Sequence, residues 1–157
     1  MGAGGTCGTD DRSGRINLTV GDLESVATAM TLSAISSNPT LVPAGNIAFA
    51  SSGARAVTAS TVVRRTGTAV VTITISDGQG ISTVQLAVRS GNNGTDTVTG
   101  GDGADLILGQ GGNDTLGGAG GNDLLCGGEG NDTLSGGGGD DGRPAAAAGG
   151  VGRAPTR

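Results

Sequence analysis

The stretch GGDGADLILGQGGNDTLGGAGGNDLLCGGEGNDTL, residues 100–134, decides the fold. It has the glycine content of a flexible spacer, yet an aspartate returns in it at a fixed interval. Asp105, Asp114, Asp123 and Asp132 form the series, Asp96 precedes it and Asp141 follows, and each step is nine residues (114 − 105 = 9). A flexible glycine-rich linker needs no register. Aligned on nine, residues 91–144 read GNNGTDTVT, GGDGADLIL, GQGGNDTLG, GAGGNDLLC, GGEGNDTLS and a broken GGGGDDGRP. Columns one and four are always glycine and column six is always Asp. Column eight is Val98, Ile107, Leu116, Leu125 and Leu134, until Arg143 takes that place.

These columns resemble the RTX (hemolysin-type) calcium-binding nonapeptide repeat, G-G-x-G-x-D-x-U-x. The spacing also has a physical reading of its own. Glycine at columns one and four allows positive φ, so the chain can turn tightly with its carbonyl oxygens facing inward. The next residues, with a β-preferring apolar side chain in the middle, form a short strand with one side chain in a core. Two units make one coil, so loops n and n+2 stack on one flank. The aspartates then divide into two ladders, Asp96-Asp114-Asp132 and Asp105-Asp123-Asp141, with two gaps each and at most four cation positions. Strands about 4.8 Å apart leave a rise that an ion with oxygen bonds of about 2.3–2.6 Å can bridge. Carboxylates and carbonyls are hard donors, which favours Ca²⁺ over zinc or copper, and magnesium demands a smaller octahedral cage. The resemblance implies a Ca²⁺ between each stacked pair, with Asp96, Asp105, Asp114, Asp123, Asp132 and Asp141 as metal ligands.

The rest of the chain narrows the functional classes. Its 157 residues carry 9 basic and 14 acidic side chains for a net charge of −5, and include no histidine. That absence removes Ser-His-Asp and Cys-His nucleophilic systems, H-E-x-x-H zinc sites and imidazole bases. No G-x-S-x-G and no amphipathic membrane helix is present, so the expectation is a protein without enzymatic activity, without a membrane span and without a nucleic-acid partner. Phe49 is the sole aromatic residue, so any core is built on Val, Ile, Leu and Ala. Cys7 and Cys126 lie far apart in segments of different character, and no bridge between them is expected; Cys126, in column nine, reads as an incidental exposed thiol.

Charge marks the expected boundaries. Residues 91–142 hold nine acids (Asp96, Asp102, Asp105, Asp114, Asp123, Glu129, Asp132, Asp140, Asp141) and no base, and every basic residue of the chain is an Arg outside them. Asp102, Glu129 and Asp140, off column six, read as solvated surface. Before residue 90, apolar and polar residues alternate with period two: Ile16, Leu18, Val20; Met30, Leu32, Ala34; Ile47, Phe49; Val71, Ile73, Ile75; Val84, Leu86, Val88. Asp77-Gly78-Gln79-Gly80 suits a hairpin turn between the last two groups. Such strands favour an antiparallel β-sandwich. Asp22, Glu24 and Asp77 read as turn or strand-end residues.

The segments INLTVGDLES, SSNPTLVPAGNIAF and GTAVVTITISDGQG resemble bacterial Ig-like or cadherin-like repeats of surface adhesins. Against that pattern, the strand expected before RINLTV is missing, which leaves the sandwich open at one edge. The expected organisation is a disordered leader (1–13), a small antiparallel β-sandwich (14–90), a calcium-stabilised parallel β-roll (91–142) and a disordered tail (143–157), all-β throughout. Together the resemblances imply a secreted or cell-surface, calcium-folded, adhesin-like module, exported by a type I-like route, with calcium ions as partners and a cell-surface or matrix partner unidentified. The alternatives are a C-terminal fragment of an RTX enzyme or toxin, and a truncated gene product.

Overall fold

The computed structural model describes residues 5–8, 13–17, 31–50, 56–62, 65–76, 78, 80–139, 141 and 151–153. Leu18, Val20, Asp22, Glu24, Met30, Asp77 and Asp140 lie outside them. The described residues are all-β apart from one 3-10 turn at Ala44–Asn46, and contain no α-helix.

The strands follow from residue alternation. β1 is Gly5–Cys7, β2 Ser13–Asn17, β3 Thr31–Ser36, β4 Ile47–Phe49 and β5 Ala56–Ser60. β6 (Gly67–Ser76) and β7 (Ile81–Ser90) are the longest, and their register runs antiparallel from Gly67↔Ser90 to Ser76↔Ile81. Ala69, Val71, Ile73 and Ile75 on one strand and Leu86 and Val88 on the other point to one buried side, as period-two alternation requires. Each of the first five nonapeptides then contributes one short strand: β8 (Thr97–Thr99), β9 (Asp105–Leu108), β10 (Thr115–Gly117), β11 (Leu124–Cys126) and β12 (Thr133–Ser135). β13 is Val151–Arg153.

Three sheets result. β1-β2-β5-β4 is antiparallel, β13-β12-β10-β8 is parallel, and the third has the order β11-β9-β7-β6-β3. Alternate repeat strands join different sheets. Strands of units n and n+2 pair in parallel and in register, Leu116 with Val98 and Leu134, Ile107 with Leu125.

The third sheet crosses the change of composition at residue 90, because β9 pairs in parallel with β7 (Ala87↔Asp105 to Ser90↔Leu108). Its two faces bury different clusters. Ile107 and Leu125 meet Leu116, Leu134 and the partly buried Val98, so column eight forms the interior of the coil. Leu106, Leu108, Leu124 and Cys126 point the other way and join Leu41, Val42, Val57, Ala59, Val71, Ile73, Leu86 and Val88. Gly14 on β2 permits this approach, since a Cβ there would collide with Leu106 Cδ1.

Several expectations change. A strand does precede RINLTV: β1, inside the supposed leader, pairs with β2 from Gly5↔Ile16 to Cys7↔Gly14. The supposed tail contributes β13, paired with β12. Cys126 faces out of the coil as expected, but it is 2% exposed rather than open to solvent, and it forms a disulfide with Cys7. Neither sequence spacing nor composition announces that bond; it arises because β11 packs beside β1 in three dimensions.

Candidate metal centre

Column six stands at the turn-to-strand junction of the first five units, so successive coils stack their aspartates. On one flank Asp114 Oδ1 accepts the backbone N–H of Asp96 at 2.8 Å, and Asp132 Oδ1 accepts that of Asp114 at 2.9 Å. On the other, Asp123 Oδ1 accepts the N–H of Asp105 at 2.9 Å, and Asp141 Oδ1 that of Asp123 at 3.2 Å. One carboxylate oxygen therefore ties each coil to the coil before it.

The second oxygen is different. Oδ2 of Asp114, Asp123, Asp132 and Asp141 is buried with no hydrogen-bond partner. Buried charge without a donor is costly, and such groups are normally paired or coordinate a metal.

Column-one glycine shapes the space these oxygens face. A Cβ on Gly109 would run into Asp114 Oδ2 and the carbonyl oxygen of Gly127; one on Gly118 would meet Asp123 Oδ2 and the carbonyl oxygen of Gly136. A carboxylate of unit n and a carbonyl of unit n+2 thus converge beside one glycine. Column one is glycine for this clearance and not for positive φ. Left-handed backbone is instead found at column four (Gly112, Gly121, Gly130, Gly139) and at column two (Gln110, Ala119, Gly128, Gly137). The expected role of column four holds from the third unit on, since Gly94 and Gly103 lack positive φ, and that of column one changes. Gln110 and Ala119 hide the column-two requirement because neither is glycine.

The first coil differs from those after it. Asp96 Oδ2 accepts the N–H of Asn92 at 2.7 Å, its Oδ1 accepts Asn92 Nδ2 at 3.0 Å, and Asp105 Oδ2 accepts the N–H of Gly101 at 2.8 Å. Asn92 and Gly101 are the column-two residues of their units, and neither has positive φ. Where column two turns left-handed, its N–H no longer serves the carboxylate, and Oδ2 is left bare. All six predicted aspartates thus lie in two ladders, but only four carry an unsatisfied oxygen.

Electrostatics point the same way. Burial, with added repulsion from Asp105 and Asp141, pushes the Asp123 carboxyl up to about 7 despite its backbone hydrogen bond. Burial also raises Asp114, with Asp132 and Asp96 adding to it. Desolvation disfavours the charged form, and nearby like charges add to that penalty. Among the described residues no three His, Cys, Asp or Glu side chains gather into a group that could hold a metal ion. A cation between coils would accordingly draw on carbonyl oxygens as well as carboxylates, the mixed hard-oxygen donor set that suits Ca²⁺. Asp102 and Glu129 are exposed and outside the ladders.

Two contributors were not foreseen. Arg89 Nε lies 3.1 Å from Asp105 Oδ1. The buried Gln110 side chain donates to Ser90 Oγ at 2.7 Å and to the Gly91 carbonyl at 2.8 Å, fastening the coil to the end of β7. The residue types alone give no signal for either, since both bonds depend on β7 lying beside β9.

The family of the RTX calcium-binding nonapeptide repeat (4 copies) matches residues 90–125 and 126–142. The segment carries RTX repeats, and these indicate calcium binding. No curated protein and no solved structure matches the chain. Among the described residues, no helix is long and apolar enough to cross a membrane.

Proposed function

We propose that residues 91–142 form a calcium-stabilised parallel β-roll that folds on binding Ca²⁺, within a secreted or cell-surface adhesin-like module. Asp114, Asp123, Asp132 and Asp141 would supply carboxylate ligands, and column-one carbonyls such as those of Gly127 and Gly136 would supply others. The observation that carries this reading is the set of four buried Oδ2 atoms without a hydrogen-bond partner. A bound ion would supply the positive charge that these oxygens face no donor for. The chain's own part is to hold the oxygens in register: Oδ1 bonds fix each carboxylate, and column-one glycines keep the space open.

Metal binding and folding then occur as one event, because a preformed site rarely exists in an unfolded glycine-rich chain. Extracellular calcium modules bind at roughly 10⁻⁴ to 10⁻³ M, well above cytosolic calcium, so such a segment stays open inside a cell and closes outside. The Cys7–Cys126 disulfide supports the same location, since disulfides persist in oxidising compartments. The N-terminal sheets would act as an Ig-like or cadherin-like spacer on which the roll is mounted.

Isothermal titration of the full chain with calcium chloride tests the reading. Saturable uptake of up to four ions is expected. No heat of binding at millimolar calcium would reject it.

A further inference from the structure

Asp105 starts the second ladder, and its charge is already answered by a cation of the protein. Its side chain is 2% exposed, and Arg89 Nε donates to Oδ1 at 3.1 Å while the N–H of Gly101 donates to Oδ2 at 2.8 Å. Further along the same ladder, Oδ1 of Asp123 and Asp141 takes its hydrogen from the aspartate amide of the preceding coil. No nonapeptide of the same ladder precedes Asp105. The strand in that position is β7, where Ala87 stands opposite Asp105 and sends its own N–H to the Ala104 carbonyl at 3.1 Å. The guanidinium, from two residues further along β7, supplies the bond that an earlier coil would have given.

β7 does not depend on the repeats for its own position. It pairs along its whole length with β6 on its other side, and Leu86 and Val88 sit in the larger core cluster. Leu106 and Leu108 of β9 belong to that same cluster, whereas β10 and β12 bury only Leu116 and Leu134, in the coil interior, and leave Thr115, Thr133 and Ser135 exposed. β9 thus has a neighbour strand, a core and a counter-charge that all come from outside the repeats.

We propose that Arg89 is the built-in first cation of the second ladder, a positioning residue that lets β9 dock on β7 without calcium and gives later units a formed strand to add to. The proposal rests on the calcium reading of those later units. Burying a carboxylate is tolerated when it is paired, and removal of the partner leaves an uncompensated buried charge. The guanidinium meets that need at the start of the second ladder, where no earlier unit of that ladder supplies an amide.

Hydrogen exchange on the intact, disulfide-bonded chain, in EDTA and in millimolar calcium, tests it. In EDTA, wild-type amides of β9 should exchange at least about tenfold more slowly than those of β10 and β12. Arg89→Gln should erase that difference in EDTA, Arg89→Lys should keep most of it, and calcium should restore protection to β9 in the glutamine variant. Unchanged protection in Arg89→Gln, or equal loss in the glutamine and lysine variants, would overturn the proposal. Failure of the calcium reading would show separately, as wild-type β10 and β12 amides that exchange equally fast with and without calcium.

Discussion

Asp123 reaches back one coil to accept the backbone N–H of Asp105 at 2.9 Å, and its other oxygen is buried without a donor. The same carboxylate thus stitches two coils together and presents an unmet negative charge between them. Asp141 stitches at a longer 3.2 Å, is less buried, and is followed in sequence by Gly142-Arg143, which puts an Arg at column eight in place of an apolar residue. Replacing Asp123 or Asp114 by Ala should weaken calcium binding at least about tenfold, within or beyond the 10–100-fold typical of outer-shell losses, and reduce its cooperativity. Asp141→Ala should do less, because a repeat array draws stability from neighbouring interfaces. Isothermal titration of the three variants checks this, and equal losses would contradict it.

Adding one methyl group at column one should be as damaging as removing a ligand. Gly118→Ala places its Cβ against Asp123 Oδ2 and the Gly136 carbonyl, whereas a Cβ at Gly45 meets nothing within 4 Å. Gly118→Ala should abolish or strongly weaken the calcium response, and Gly45→Ala should leave it within error of wild type, as followed by calcium titration with circular dichroism.

Protons and calcium should compete for the ladders. With the folded carboxyl of Asp123 near 7 and the unfolded one near 3.8, the metal-free folded state binds more protons between those values. Metal-free stability of the coil should therefore be greatest at acid pH and fall as pH rises through about 4 to 7. Asp114 contributes in the same direction. Calcium affinity should run the other way, falling as pH drops below about 7, with net proton release on binding at neutral pH. Titration in two buffers of different ionisation enthalpy measures that release, and identical heats in both would contradict it.

The disulfide should act on the whole molecule. It closes a loop of 119 residues between β1 and β11. Replacing both Cys7 and Cys126 by Ser should cost about 2–4 kcal/mol, largely by freeing the unfolded chain. Urea denaturation in calcium, with the wild type oxidised, checks the difference. A midpoint unchanged by the double substitution would show that the bond contributes nothing.

The repeat was legible because each unit must satisfy the same geometry, so the same residue types recur at columns one, four, six and eight. A second pattern lay beneath it. Columns seven and nine alternate between units, with Thr97, Thr115 and Thr133 in β8, β10 and β12, but Leu106, Leu124, Leu108 and Cys126 in β9 and β11. That eighteen-residue alternation marks the strands whose outer face is buried against the N-terminal sheets. Read with it, the join between repeats and N-terminal strands becomes visible in sequence. β1 was not legible, since Gly5–Cys7 has no room for alternation and is placed by β2 and the disulfide. β5 was missed too: Ala56–Ser60 is made of small residues, and its burial comes from its neighbours β2 and β4. The left-handed backbone at Gln110 and Ala119 is set by coil stacking rather than by residue type.

Far-UV circular dichroism of the full chain, with and without millimolar Ca²⁺ and with Mg²⁺ as control, tests most directly whether the aspartate ladders fold on calcium. The account predicts a gain of β-structure signal on adding calcium, with a midpoint at roughly 10⁻⁴ to 10⁻³ M, and no comparable gain with magnesium. A spectrum unchanged by calcium, or changed equally by magnesium, would contradict it.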